Sequence, residues 1–235
     1  MKFLSYSLLA FIVLVLLAVG LTTKIPPASI GVKQVQVGPG KGVIEEDFST
    51  GLVLSLPSYH IWHLFPRQTH FLHFTGGARI DDRRISTREI EDWRGPLQLR
   101  TSDNNNVELD VSVTYKIIRG SAYRLVQDGL RVDYVGRVRS LVLDVLRTEL
   151  AKLTSEDLQL TDTRTERAQL TLNVLREKLA QFHVEPEDIL IRAVSFQADY
   201  EDKLQNKQLL RQQSKLEEAL TAQAEEDQKA QTQKR

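Results

Sequence analysis

Four of the five histidines in the chain form two H-x-x-H pairs, His60 with His63 and His70 with His73. Imidazoles are common zinc ligands, so this is the one cluster in the sequence whose residue types could bind a metal. Both pairs lie in aromatic-rich segments, and residues three apart on a strand face opposite sides. No carboxylate lies between residues 59 and 74. We interpret the histidines as part of a half-buried or membrane-near aromatic surface, and predict no metal or cofactor.

Two other kinds of catalytic or binding site are weakly suggested. Residues 38–42 (GPGKG) are glycine-rich, but Lys41 is not followed by Ser or Thr and no apolar helix opens there, so the segment predicts a turn and not a nucleotide site. Ser, His and Asp residues occur in no nucleophile-elbow or zincin context. A membrane-anchored hydrolase is therefore a weaker alternative, and the mixed-charge segment 79–95 predicts a solvated loop or edge strand. We predict that the chain is not an enzyme.

The composition removes further classes of function. Lys plus Arg and Asp plus Glu number 31 each, so no net positive field favours nucleic acid as a partner. The chain contains no cysteine, which excludes disulfides, thiolate catalysis, thiolate metal sites and cysteine lipidation. Any membrane attachment must therefore come from the N-terminal segment.

Residues 3–21 form a near-continuous apolar run that approaches the length of a membrane-spanning helix. We predict a single-pass anchor over residues 1–24, with the alternative of a cleaved signal peptide ending at the small residues 18–20. Lysines on both flanks leave the orientation undecided, but a short N-terminal tail favours a main domain on the extracytoplasmic side. The predicted membrane-spanning side chains are Phe3, Leu8, Phe11, Leu14, Leu17 and Leu21.

Strands are predicted early in the chain and helices later. Apolar and polar residues alternate over residues 107–117, which predicts a strand with one buried face, paired in a hairpin with residues 97–101. Apolar residues recur at three- and four-residue spacing over 135–146, which predicts an amphipathic helix. A second helix is predicted to open near Thr163, with Glu166 completing a capping box, and a strand follows over 189–194. The pattern indicates an α+β fold divided into subdomains 25–120 and 121–198.

The last segment, residues 199–235, contains neither Gly nor Pro and predicts a charged, coiled-coil-like helix. Such a helix buries too little apolar surface to be stable alone, so we expect it to pack against copies of itself or a partner. A disordered tail beyond Leu220 is the alternative for its last residues. The predicted oligomerisation residues are Leu204, Leu209, Leu210, Leu216 and Leu220.

Four stretches, in order, resemble the band 7 or SPFH superfamily, which includes stomatin, prohibitin, flotillin and HflK/C. The most specific is residues 99–103 (LRTSD) running into the alternating strand 107–115. The others are residues 37–41 with the turns at 51–52 and 56–57, residues 138–140 with 153–158, and residues 182–191 followed by the charged helix.

This resemblance implies an SPFH domain with an antiparallel, strand-rich first part and a helix-helix-strand second part, between the anchor and the C-terminal helix. It implies a membrane-anchored oligomeric scaffold of the prohibitin or stomatin type, which organises membrane microdomains or regulates a membrane protease or channel. The expected partners are the lipid bilayer, further copies or a paired homologous subunit, and no nucleic acid. A partner-specific regulator that does not form large assemblies is the alternative.

Overall fold

The computed structural model describes residues 20–76, 91–196, 200, 209, 210, 212–218 and 220. The predicted span up to residue 19, residues 79–90 of the charged segment 79–95, and Leu204 lie outside these residues. The strands are β1 (Thr22–Ile25), β2 (Ser29–Val35), β3 (Gly42–Phe48), β4 (Gly51–Leu54), β5 (His60–Pro66), β6 (His70–Phe74), β7 (Glu91–Arg94), β8 (Leu97–Arg100), β9 (Asn106–Ile117) and β10 (Val184–Phe196). The helices are α1 (Ala122–Gln127), α2 (Tyr134–Leu150), α3 (Ser155–Gln159) and α4 (Thr161–Leu179), followed by a 3₁₀ turn (Ala180–Phe182).

The first module combines a three-stranded antiparallel sheet, in the order β3-β2-β5, with a two-stranded ribbon of β1 and β4. The ribbon lies close against β2 because Gly31 has no side chain: a Cβ there would lie 2.6 Å from Cδ1 of the buried Ile25. Two hydrogen bonds also tie the ribbon to this sheet, from Nζ of Lys33 to the Leu54 carbonyl and from Nε1 of Trp62 to Oγ of Ser55.

The second sheet has β9 at its centre. Its path is β10-β9-β6-β7, and β8 pairs with the N-terminal end of β9. The predicted alternation is confirmed, because the odd-numbered residues of β9 from 107 to 117 are all buried. The predicted β8–β9 hairpin is confirmed as well. β7, within the charge-rich segment, pairs with β6 in the parallel direction.

Helices α2 and α4 pack against each other, and they contact β8 and β10 respectively. The amphipathic helix predicted at 135–146 is confirmed as the centre of α2, whose Val138, Val142 and Leu146 are buried in one core with β9. The capping box predicted at Thr163 is wrong: α4 begins at Thr161 and follows Leu160, which supplies no capping side chain. Leu160 is also the C-cap of α3, which ends at Gln159, so the chain passes from one helix into the next before Thr163 is reached.

A capping box does occur one helix earlier. Oγ1 of Thr154 accepts from the Asp157 amide at 3.1 Å, and the Asp157 carboxylate accepts from the Thr154 amide at 3.0 Å. The last strand, β10, runs from residue 184 and is longer than the predicted strand 189–194. It pairs along its length with β9. The predicted subdomain boundary at residue 120 therefore falls between two neighbouring strands of one sheet.

The described residues 209, 210, 212–218 and 220 are helical, as predicted for the C-terminal segment. No helix in the described part of the chain has the length and hydropathy needed to cross a membrane.

Candidate functional site

Three leucines next to the start of the first module form an exposed apolar surface. Leu52, Leu54 and Leu56 are 74%, 61% and 42% exposed, and they alternate along β4 and the turn after it. Leu21, the last residue of the predicted span, lies beside them, since its carbonyl accepts a hydrogen bond from the Ser55 amide at 2.7 Å. We call Leu52, Leu54 and Leu56 the apolar patch. Single exposed leucines are ordinary, but three neighbours beside one chain end indicate an interaction surface.

The sequence carries a local signal for this patch. Leucine recurs at every second position from 52 to 56. That period places all three side chains on one face of an extended chain. A two-stranded ribbon has no second layer on that face, so the leucines stay exposed.

The histidines of the two H-x-x-H pairs bind separate partners. The Leu56 amide donates to Nδ1 of His60 at 2.9 Å. His63 accepts at Nδ1 from Arg131 at 2.9 Å, which leaves its Nε2–H to donate to Gln34 at 2.7 Å. Among the described residues, no three His, Asp or Glu side chains lie together as a metal ligand set would require.

His70 and His73 lie on opposite faces of β6. His70 is buried, stacks on Tyr115 with ring centroids 4.9 Å apart, and has the hydroxyl of Tyr134 3.4 Å from its Nε2. Burial lowers the pKa of His70 to about 4. The ring of His73 lies 4.1 Å from that of Trp93 on the other face. Three of these four histidines, His63, His70 and His73, are more deeply buried than the predicted half-buried surface.

Among the residues that the structure describes, the contact between His73 and Ser112 resembles a hydrolase dyad. Oγ of Ser112 lies 2.8 Å from Nδ1 of His73. A general base needs an imidazole that gains a proton readily, as when a carboxylate stabilises the imidazolium. Here burial, and then the guanidinium of Arg192 at 3.3 Å from the same Nδ1, lower the pKa of His73 by more than the carboxylate of Glu91 raises it. The nearby carboxylate of Asp110 binds Thr75 and Gly76 instead, so the arrangement suits packing and not catalysis.

The stretch LRTSD has a clear structural role. Oδ1 of Asp103 accepts from both the amide and the hydroxyl of the buried Ser155, each at 3.1 Å, at the start of α3. Asn105 bridges the same two side chains, with Nδ2 2.9 Å from each. Burial acts to raise the pKa of Asp103, but hydrogen bonds from Thr101 and Ser155 outweigh it and lower that pKa. The motif therefore fastens the β8–β9 turn to the helix layer.

The described leucines of the C-terminal segment, Leu209, Leu210, Leu216 and Leu220, are all exposed on a helix. They do not pack on the folded domain in the single chain. Their availability fits the predicted role in oligomerisation, which stays a prediction.

A comparison with family models matches residues 23–231 to the SPFH domain / Band 7 family. A comparison with curated proteins gives no significant match. The family match covers both sheets, the helix layer and most of the C-terminal segment, so the family resemblance inferred from the motifs is confirmed. The chain therefore belongs to the SPFH domain / Band 7 family.

Proposed function

We propose that this chain is a membrane-anchored oligomeric scaffold of the prohibitin or stomatin type, which organises membrane microdomains or regulates a membrane protease or channel. The observation that carries this proposal is the apolar patch beside Leu21. A chain that leaves a bilayer at Leu21 would keep the first module within reach of the lipid surface, where exposed leucines are favourable. We assign no catalytic residue and place the main domain on the extracytoplasmic side.

The exposed leucines of the C-terminal helix support the oligomeric part of the proposal. An isolated helix with this narrow apolar stripe is stabilised by packing against another helix. Copies held in one membrane meet at high effective concentration, so a weak helix contact is enough to assemble them. The oligomer could contain identical chains or a paired homologous subunit.

The test compares the size of the detergent-solubilised full chain with that of a chain lacking residues 199–235. We expect the full chain to form an oligomer and the shortened chain to form smaller species. A matched pair of variants refines the test: serine at Leu209, Leu210 and Leu216 should reduce the size, and serine at the exposed Gln212 and Gln213 should not. Monomers in every case would overturn the scaffold proposal.

A further inference from the structure

The strand β10 has an unpaired edge. It pairs with β9 on one side, and no strand in the described part of the chain pairs with its other side. Irregularities in the pairing flank a regular stretch, one between Pro186 and Asp188 and the other between Ile191 and Ala193. Residues 188–191 are therefore a short, regular strand edge with backbone groups available to another chain.

The outer face of this edge carries an acid, an apolar residue and a base in sequence. Ile189 is buried on the helix side, and Asp188 and Leu190 are exposed on the opposite side. Arg192 lies on that same outer face, because its guanidinium contacts the ring of His73 across the sheet. Neither Asp188 nor Arg192 forms an ion pair with any described residue.

This order of side chains is self-complementary in an antiparallel pair. We propose that β10 pairs with β10 of a second copy of this chain about a two-fold axis at Leu190. The two Leu190 side chains then face each other, and each Asp188 lies opposite Arg192 of the other copy, the residue at the second irregularity just beyond the regular stretch. In the single chain, the Asp188 carboxylate accepts a hydrogen bond from the Ile189 amide at 2.9 Å. In the pair, the carboxylate exchanges that hydrogen bond for a contact with the Arg192 guanidinium of the other copy.

A cavity borders this part of β10. It has a volume of about 220 Å³ and lies between α4 and residues 188–191. Arg164 lines this cavity, and among the described residues its buried Nε has no hydrogen-bond acceptor. A strand added along this edge brings backbone carbonyl oxygens to the same side of the domain. Such an oxygen is the kind of acceptor that Nε of Arg164 lacks.

The contact is small, so it is expected to be weak between free chains. A stable interface buries more than about 1,000 Å², and a pair of strands of this length buries only part of that. Copies tethered in one bilayer need less, because their effective concentration is high. The inference therefore rests on the proposed function in one respect, the presence of several copies in one membrane.

Cross-linking through a single introduced cysteine tests the contact directly, since the chain has no cysteine of its own. L190C in the full chain, reconstituted in lipid vesicles and mildly oxidised, should give a disulfide-linked dimer, because directly opposed strand residues lie within disulfide range. L170C on α4 is the matched control, with 48% exposure against 53% for Leu190. Equal cross-linking of the two variants, or none at position 190, would overturn the proposal.

Charge reversal gives a second, independent test. D188R or R192D alone should weaken pairing about tenfold, because two symmetry-related contacts change from attraction to repulsion. The double variant D188R/R192D restores complementarity, so its L190C cross-linking should return towards the original level. Both side chains are exposed, so the variants should fold. A double variant as weak as the singles would contradict the assigned register.

The L190C experiment, repeated without residues 199–235, separates this inference from the proposed function. Position-specific cross-linking that persists in a chain whose size is unaffected by the deletion would support the β10 contact and reject the helix-driven scaffold. A size change on deletion, with no preference for position 190, would reject the β10 contact alone.

Discussion

At the residue scale, the buried histidines show how a motif that could bind metal serves packing. Burial lowers the pKa of all three imidazoles, and arginines lower it further for two of them: Arg131 donates to His63 and Arg192 donates to His73, while tyrosines enclose His70. A positive charge on any of these rings would be buried or would face a guanidinium. The spacing of the histidines could be read from the sequence, but their burial and their arginine partners depend on distant positions in the chain and could not.

We predict that His70 makes the domain less stable in acid. The unfolded chain has a histidine pKa near 6.5 and the folded chain one of about 4, so between these values the unfolded state binds more protons. The free energy of unfolding should therefore fall as the pH drops from about 6.5 to 4, with a loss of about 2 kcal/mol at pH 5 from this group.

The measurement is urea denaturation between pH 7.5 and 4.5 for the wild type and H70F, which keeps a ring against Tyr115. The pH dependence of the wild type should exceed that of H70F over this range. His60 is the matched control, because it lies near the surface, so H60F should change the dependence much less. Parallel stability curves for wild type and H70F would contradict the prediction.

At the element scale, the sequence predicts those strands and helices that have one buried face and one solvent-exposed face. β9 and α2 were identified because polar residues alternate with buried ones at the period of each element. The extent of β10 was underestimated because its pairing irregularities and Pro186 interrupt that period. Thr163 and Glu166, three apart, satisfy the capping-box pattern; only the path of the chain excludes it, because Leu160 alone separates the end of α3 at Gln159 from the start of α4 at Thr161.

The packing of the β1–β4 ribbon on β2 could not be predicted from any local pattern, and it depends on Gly31. We predict that G31A lowers the free energy of unfolding by about 1–3 kcal/mol, because its Cβ would overlap Cδ1 of Ile25. I25V removes Cδ1 and alone should cost about 1 kcal/mol. In the double variant the closest overlap is removed, although Cγ1 at 3.1 Å remains, so its loss should be smaller than the sum by at least about 0.5 kcal/mol. Additive losses in chemical denaturation would show that the two side chains do not compete for this space.

At the scale of the whole molecule, exposed leucines occur on both sides of the folded core in the sequence. The apolar patch lies beside Leu21 at the N-terminal end, while the exposed leucines of residues 209–220 lie after the last strand. The Asp103–Ser155 contact and the pairing of β9 with β10 join the strand-rich and helical parts into one core between them. If the proposed function holds, this single core connects the proposed membrane contact to the proposed assembly contact.

The proposed orientation makes one further prediction, that Leu54 contacts lipid in the anchored chain. Because no native cysteine competes for the label, L54C can carry a single environment-sensitive fluorophore. In vesicles, the emission of this label should lie at shorter wavelength than in buffer that contains neither vesicles nor detergent. The reason is that the label moves into the interfacial region of the bilayer. L160C, at a leucine of similar exposure (55% against 61%) between α3 and α4, should keep the emission of a water-exposed label. If both labels respond alike, the apolar patch has no special relation to the bilayer, and its leucines must be assigned to a protein partner instead.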